Sequence, residues 1–223
     1  MSSGPAPSAP HLPSGTIDSA QALLHGLHLQ PLLVVLRAQQ PQELFTELER
    51  LDGLGLLHVE LAWSSHPQWS AQAAALVRCF PRLRLGAASV SSLEALEATV
   101  AAGLGYGVSP VLDEALLQAA HACGLPLVPG VFSPSEVHRA RQLGCAVVKL
   151  FPASSLGIDF WPRLRGPLGR LPACIAAGGL GVEDVQPWLA AGVDAVALGG
   201  QLGSPQSWLA LAQLVRRLEC PAG

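Results

Sequence analysis

The chain has 223 residues, half of them hydrophobic and only 13% charged, enough for one domain, or at most two small ones, around a sizeable core. Acidic residues (16) outnumber basic ones (13) and no basic stripe appears, which disfavours a protein that lives on nucleic-acid backbone contacts. Mean hydropathy is high at +0.38, yet Pro, Gly or a charge interrupts every apolar run well short of the ~20 residues a membrane span needs.

The first fifteen residues, MSSGPAPSAPHLPSG, have neither the basic start nor the apolar stretch of a secretory signal and read as a disordered Pro/Ser tail. Residues 16–220 then alternate short β-prone runs with longer helical ones. The expected strands are Leu32–Leu36, Leu57–Ala62, Leu83–Ala87, Leu104–Val108, Pro126–Pro129, Ala146–Phe151, Ala173–Ala177 and Ala195–Leu198. Helix-like stretches between them include Gln42–Leu51, Ser70–Cys79, Ser92–Ala102, Asp113–Cys123, Ser135–Leu143, Val182–Ala191 and Ser207–Leu218. Gly55, Gly103, Gly124, Gly144 and Gly192 stand where helices should stop before the next strand. Ser91-Ser92, Pro134-Ser135-Glu136 and Gly181–Asp184 offer caps or acidic first turns.

Eight near-continuously apolar strands, each followed by a helix, predict an α/β fold with a parallel sheet covered by helices. Closed on itself, that sheet is a single-domain (β/α)8 TIM barrel. A doubly wound open sheet is the alternative. The five cysteines, Cys79, Cys123, Cys145, Cys174 and Cys220, are scattered and odd in number, with no CxxC or zinc spacing. They read as reduced thiols of a cytoplasmic protein, and Cys79, Cys145 and Cys174 as small hydrophobes in apolar segments. No metal constellation is visible.

Lys149 is the one lysine beside twelve arginines, and it lies in the apolar run CAVVKLFPA. An amine can lose its proton and attack carbon, whereas a guanidinium effectively cannot. A snorkelling or salt-bridged lysine is the structural alternative. Ligands of both α/β architectures bind at the carboxyl ends of strands. There the chain presents Arg37, Glu60, Lys149 and two glycine pairs, Gly178-Gly179 and Gly199-Gly200. Such pairs let backbone N–H groups approach an anion closely, as in the phosphate cups of barrels. Period-two alternation puts Cys145, Val147, Lys149 and Phe151 on one face and His58, Glu60 and Ala62 on another. If both face the lumen, an amine meets a carboxylate in a partly dry cavity, either as a buried ion pair or as an imine-forming lysine beside a proton carrier. His58 reads as a satisfied core histidine. The Ser64-Ser65-His66 run reads as loop composition. Trp63 is expected to line the pocket beside Glu60, and Trp161, Trp188 and Trp208 to sit on helix faces or subunit contacts.

The segments LHVELAW, GAASV, VSPVLDEALLQAA, PLVPGVFSPSE, VVKLFPAS, AAGGL and ALGG, in this order, resemble the 2-keto-3-deoxy-6-phosphogluconate (KDPG) aldolase / 4-hydroxy-2-oxoglutarate (KHG) aldolase family. The resemblance runs from about Ile17 to Leu214 and is most specific in PLVPGVFSPSE and VKLFPA. It implies a class I, metal-independent aldolase that needs no cofactor, folds as a (β/α)8 barrel and assembles as a homotrimer. Its reaction is the reversible cleavage of a 2-keto-4-hydroxy acid to pyruvate and an aldehyde. Carried over position by position, Lys149 matches the Schiff-base lysine and Glu60 the acid/base glutamate. Arg37 and Ser89 match substrate-binding positions, Pro110 and Phe151 pocket walls, and Gly178, Gly179, Gly199 and Gly200 the phosphate loops.

Three positions depart from the family's pattern. Ser64 replaces an arginine that grips the pyruvyl carboxylate, Ala177 replaces a threonine, and Gln201 replaces a serine of the phosphate loop. The alternatives are therefore a non-catalytic or substrate-shifted member that binds a keto acid, or another phosphate-binding barrel isomerase or synthase.

Overall fold

The structure, a computed structural model, describes residues 14–200 and 204–219. Its strands are β1 (Leu32–Leu36), β2 (His58–Ala62), β3 (Arg84–Ala88), β4 (Gly107–Val108), β5 (Leu127–Val128), β6 (Gly130–Val131), β7 (Val147–Leu150), β8 (Ala173–Ala177) and β9 (Ala195–Gly199). Every pairing between them is parallel, in the order β5-β4-β3-β2-β1-β9-β8-β7-β6.

The two nominal ends of that order, β5 and β6, are separated in the chain by Pro129 alone. Proline has no N–H to give to a ladder, but its carbonyl still accepts the Lys149 N–H at 2.8 Å. Residues 127–131 are thus one stave in two pieces, the first paired with β4 and the second with β7. The sheet closes, which excludes the open doubly wound alternative and makes the eight-stave barrel the fold. The fifth strand extends past its expected end at Pro129 as far as Val131.

The described helices are α1 (Ser14–Leu29), α2 (Phe45–Gly53), α3 (Trp69–Cys79), α4 (Leu93–Ala101), α5 (Glu114–Ala122), α6 (Pro134–Gln142), α7 (Ala153–Leu156), α8 (Phe160–Leu168), α9 (Val185–Ala190) and α10 (Pro205–Glu219). Three of them, α1, α7 and α8, were not expected. α8 hides behind two prolines. Pro162 falls in the first turn, where N–H groups have no intrahelical acceptor anyway, and Pro167 falls one residue from the end. α1 begins at Ser14, so the last two residues of the expected tail are helical. The rest of that tail, together with Gln201 and Cys220, lies outside the described residues.

Strand alternation sorts the side chains into two cores. Outward residues such as Leu32, Val34, Leu61, Leu85, Leu150, Cys174 and Leu198 pack against the helices, whose contributions include Trp69, Trp161 and Trp188. Inward residues form a second cluster of smaller groups, among them Val35, Ala62, Ala88, Val108, Ile175, Ala177 and Ala197. Helix α1 closes the amino end of the barrel, with Leu23 and Leu27 joining the inner cluster. Its fit is tight, since a β-carbon at Gly26 would stand 2.3 Å from His58 Nε2, so only glycine lets α1 seat there. The Arg84 guanidinium on β3 holds α1 by donating to the Ala22 carbonyl at 3.1 Å.

Candidate active site

Val59 and Leu61 belong to the outer core, so Glu60 between them faces the lumen. Val148 and Leu150 do the same for Lys149. Both polar side chains are buried, Glu60 at 1% exposure and Lys149 at 6%. The lysine is neither snorkelling nor salt-bridged. Among the described residues its ammonium has no carboxylate in ion-pair contact, and its Nζ lies 4.7 Å from the centre of the Phe151 ring.

Burial lowers the Lys149 pKa; the Glu60 charge opposes that shift and the Arg37 charge adds to it. Burial pushes Glu60 up to about 7, against the pull of Lys149 and Arg37. An amine eased toward its neutral form beside a carboxyl that titrates near neutrality is suited to carbonyl attack and proton transfer.

Arg37 follows the end of β1, and its Nη1 donates to Ser89 Oγ at 3.1 Å. Ser89 follows β3 and has φ 64°, the one positive φ on a non-glycine among the described residues. Side chains enter that region reluctantly, and such residues cluster at functional sites. Ser64 donates to the Gln39 carbonyl at 2.6 Å and so is tied to the loop after β1.

Pro110 and Phe151 line one cavity of about 450 Å³ with Gly130, Phe132, Pro152 and Ser155, at the carboxyl ends of the fourth to sixth staves. The run PLVPGVFSPSE also builds the start of α6. Ser133 Oγ accepts the Glu136 N–H, while Glu136 Oε2 accepts the N–H groups of Phe132 and Ser133, each at 2.8 Å.

Gly178 and Gly179 follow the end of β8, with φ 94° and 76°. A β-carbon on Gly178 would meet the Phe151 ring at 2.9 Å, and one on Gly179 would meet Ser154 Oγ at 2.2 Å. This pair therefore packs directly against the loop that follows Lys149. Gly199 and Gly200 are exposed at the end of β9, with Gly199 beside Val35 of β1. A second cavity of about 280 Å³ lies nearby, lined by Leu180, Gly181, Glu183, Leu198, Gln206 and Ser207. Among the described residues no group of three or more His, Cys, Asp or Glu side chains is placed to hold a metal ion.

Three expectations are corrected. His58 is buried but not satisfied, because neither ring nitrogen has a hydrogen-bond partner among the described residues. Burial, with Arg84 adding to it, pushes its pKa down to about 4, so the ring is neutral. Trp63 packs against the outer core, because it is in phase with Val59 and Leu61, the outward residues of β2, and its N–H carries the ladder on to the Ala88 carbonyl at 2.9 Å. Cys79, at the last position of α3, is exposed; Cys174 is buried and Cys145 half-buried. The sequence reading also passed over Tyr106, the chain's only tyrosine, which enters the lumen next to His58 with ring centres 5.9 Å apart. Its shared period with Val108 was the available signal.

The profile of the KDPG and KHG aldolase family matches residues 24–216. The chain is 28% identical over 173 residues to the 2-dehydro-3-deoxy-6-phosphogalactonate aldolase of Escherichia coli (strain K12), covering 77% of this chain and 84% of that one. It is 25% identical over 208 residues to the 2-dehydro-3-deoxy-phosphogluconate aldolase of Haemophilus influenzae, covering 90% and 96%. Its backbone also matches the KDPG aldolase of Legionella pneumophila, whose crystal structure holds pyruvate captured at low pH as a covalent carbinolamine. That match has a TM-score of 0.74 at 24% identity over 88% of this chain and 98% of the other, a likeness of fold. The profile match begins inside α1 and ends inside α10, taking in every stave of the barrel, and the chain belongs to the KDPG and KHG aldolases, a family of carbon–carbon lyases.

Proposed function

We propose that the chain is a class I aldolase that reversibly cleaves a 2-keto-4-hydroxy acid to pyruvate and an aldehyde, with Lys149 as the imine-forming amine and Glu60 as the proton carrier. The observation that carries this reading is the burial of the chain's only lysine in the same lumen as Glu60, electrostatically coupled to it but, among the described residues, free of an ion pair. The covalent pyruvate adduct of the Legionella relative supports the same chemistry.

Neutral Lys149 Nζ adds to the C2 ketone, giving a carbinolamine. Glu60 donates a proton to the departing hydroxyl, water leaves, and an iminium remains. The Glu60 carboxylate then takes the C4 hydroxyl proton, the C3–C4 bond breaks, and its electron pair moves into the enamine as the aldehyde departs. Protonation of C3 by Glu60 and addition of water to the iminium release pyruvate and return the amine. Arg37 and Ser89 hold the keto-acid carboxylate in this reading, without the guanidinium that Ser64 replaces; a charge-assisted contact is absent and affinity for that carboxylate is correspondingly weaker.

Pro110 and Phe151 wall the aldehyde side, and the four glycines supply backbone N–H groups to an anionic tail. Both the phosphogluconate and 4-hydroxy-2-oxoglutarate substrate types fit this scheme. The same resemblance carries a cytoplasmic homotrimer, and sedimentation equilibrium at three times 23.1 kDa is the expected reading of the assembly.

Pyruvate with borohydride tests the chemistry. The expected outcome is a stable adduct whose mass maps to the peptide containing Lys149. An unlabelled Lys149, with substrate bound and no aldehyde released, would instead favour the non-catalytic reading that the Ser64 departure motivates.

A further inference from the structure

Beneath the carboxylate proposed as proton carrier lies a polar floor that the reaction scheme leaves unused. Glu60 Oε2, both ring nitrogens of His58 and the Tyr106 hydroxyl are all buried and all without a hydrogen-bond partner among the described residues. Exposure is 1% for Glu60, 1% for His58 and 3% for Tyr106. Buried polar atoms are rarely left unpaired, and four in one place, on complementary groups, need a common explanation.

The backbone brings them together. Glu60 on β2 is in register with Gly86 on β3, and His58 with Arg84. The Ala87 N–H donates to the Tyr106 carbonyl, which sets Tyr106 alongside Gly86. A β-carbon on Gly86 would lie 2.5 Å from Tyr106 Cε2 and Cζ. The hydroxyl end of the ring therefore covers Gly86, and the side chain reaches from the fourth stave across β3 toward β2. Any larger residue at position 86 blocks that path.

We infer that Tyr106 is a positioning residue for Glu60: its hydroxyl donates to the Glu60 carboxylate through an internal water shared with His58, and so favours the ionised carboxylate. A buried water typically makes about three hydrogen bonds, which these three groups supply. The donor role requires a protonated phenol, and burial, together with the Glu60 charge, holds Tyr106 well above its ordinary pKa. His58 stays neutral above about pH 4 and offers one N–H and one lone pair.

The other charged groups facing Glu60 are Lys149 from β7 and Arg37 from the end of β1; Arg84 lies one layer lower, beside His58. All three are basic groups, whereas Tyr106 and His58 meet Glu60 as neutral partners. The sign follows: a donor stabilises the charged carboxylate, so deleting the hydroxyl raises the pH at which Glu60 ionises.

This inference deepens the aldolase reading and rests on it for its catalytic meaning, but it can be tested without turnover. Because the chain has one tyrosine, 3-fluorotyrosine incorporated throughout gives a single fluorine resonance. That resonance is expected to move with pH about a midpoint near 7, the Glu60 value, and to lose that midpoint in Glu60→Gln. A resonance that is flat between pH 6 and 8, or one whose midpoint persists in Glu60→Gln, overturns the inference.

Tyr106→Phe, which keeps the ring, is the second measurement. It is expected to move the acid limb of the pH–rate profile, read by turnover or by pyruvate–borohydride trapping, upward by about half a unit or more. A superimposable profile, whatever the change in melting temperature, makes Tyr106 a packing residue only. Failure of wild-type Lys149 to trap pyruvate would sink the imine chemistry and leave the fluorine titration to decide the Glu60–Tyr106 coupling alone. A trapped Lys149 with a flat fluorine signal would do the reverse.

Discussion

The two faces of the same strands were built to different specifications. Outward, β2 contributes Val59 and Leu61 to a dense layer of aliphatic and aromatic side chains under the helices. Inward, the same strand contributes His58, Glu60 and Ala62, and the rest of the lumen is mostly alanine and valine, with Leu33 and Ile175, around Lys149 and Tyr106. A large apolar side chain buried outward stabilises the fold by roughly 1.5–3 kcal/mol. An ionisable group buried inward without a full partner does the opposite, because desolvation opposes its charge. Stability is thus concentrated on one face of the sheet and chemistry on the other, separated by a single residue step along each strand.

Substitutions sharpen that contrast. Lys149→Ala is expected to have the largest effect, a loss of at least ~10⁴-fold in the rate of pyruvate release, with a melting temperature close to wild type, since removal of a desolvated amine offsets the lost packing of its buried aliphatic stem. A coupled assay for pyruvate beside thermal unfolding checks both halves. Glu60→Gln is expected to lower kcat by about 10²–10³-fold while stabilising the fold in alkaline solution.

The direction of that stabilisation comes from linkage. Glu60 binds its proton more tightly folded than unfolded, with a pKa raised from 4.5 to about 7. The Glu60 contribution to wild-type stability is therefore undiminished below pH 4.5 and is lost as pH rises through 7. The Gln variant lacks this decline and gains on the order of 3 kcal/mol at pH 8 relative to its value at pH 4. His58 has the opposite sign. Its pKa falls from 6.5 to about 4, so stability in either protein drops as pH decreases from 6.5 toward 4. Urea unfolding across pH 4–8 separates the two slopes, and a Gln variant that keeps the alkaline decline would contradict the Glu60 assignment.

Much of this division was readable beforehand, for physical reasons. Strands covered on both sides are apolar almost without interruption, so β1, β8 and β9 fall within a residue of where the pattern puts them. Lys149 stood out because an Arg-rich chain keeps one lysine, and in an apolar run. Period two also placed Glu60 and Lys149 on faces that turn out to be inward. What one residue's spacing cannot convey is what stands across the lumen from it. His58 looked satisfied because its chain neighbours are apolar, while its spatial neighbours, Tyr106, Gly26 and Arg84, come from three other elements. Trp63 misled for a simpler reason, since it is near Glu60 along the chain but three places on in an extended segment, which puts it on the opposite face with Val59 and Leu61. α8 was hidden by prolines that are harmless at the positions they occupy.

Leu61→Ala tests the outward face one residue from Glu60. The side chain is fully buried among the helix-facing residues, so its truncation is expected to destabilise by about 2–5 kcal/mol in urea unfolding. At temperatures where the variant is folded, pyruvate trapping at Lys149 should proceed within a few-fold of wild type. A large loss of trapping with little loss of stability would show that the two faces are not separable after all.

The smallest expected effect comes from the caps, where the division meets a harder case. In a parallel barrel each helix following a strand starts at the carboxyl end of the sheet, so capping side chains share the rim with the reaction centre. Asp113 is one of them, accepting the Leu116 N–H through Oδ1 at 3.0 Å and leading into α5. Its bond is to its own helix and it is not among the residues lining the Pro110–Phe151 cavity. Asp113→Ala should therefore cost about 1 kcal/mol of stability and leave the turnover rate within about twofold. Asp113→Asn, which keeps an acceptor, should recover most of the loss. A turnover defect in Asp113→Ala that Asn does not repair would mean that its carboxylate acts on the bound substrate, and that rim position alone, without a place in the lumen, is enough to bring a side chain into the chemistry.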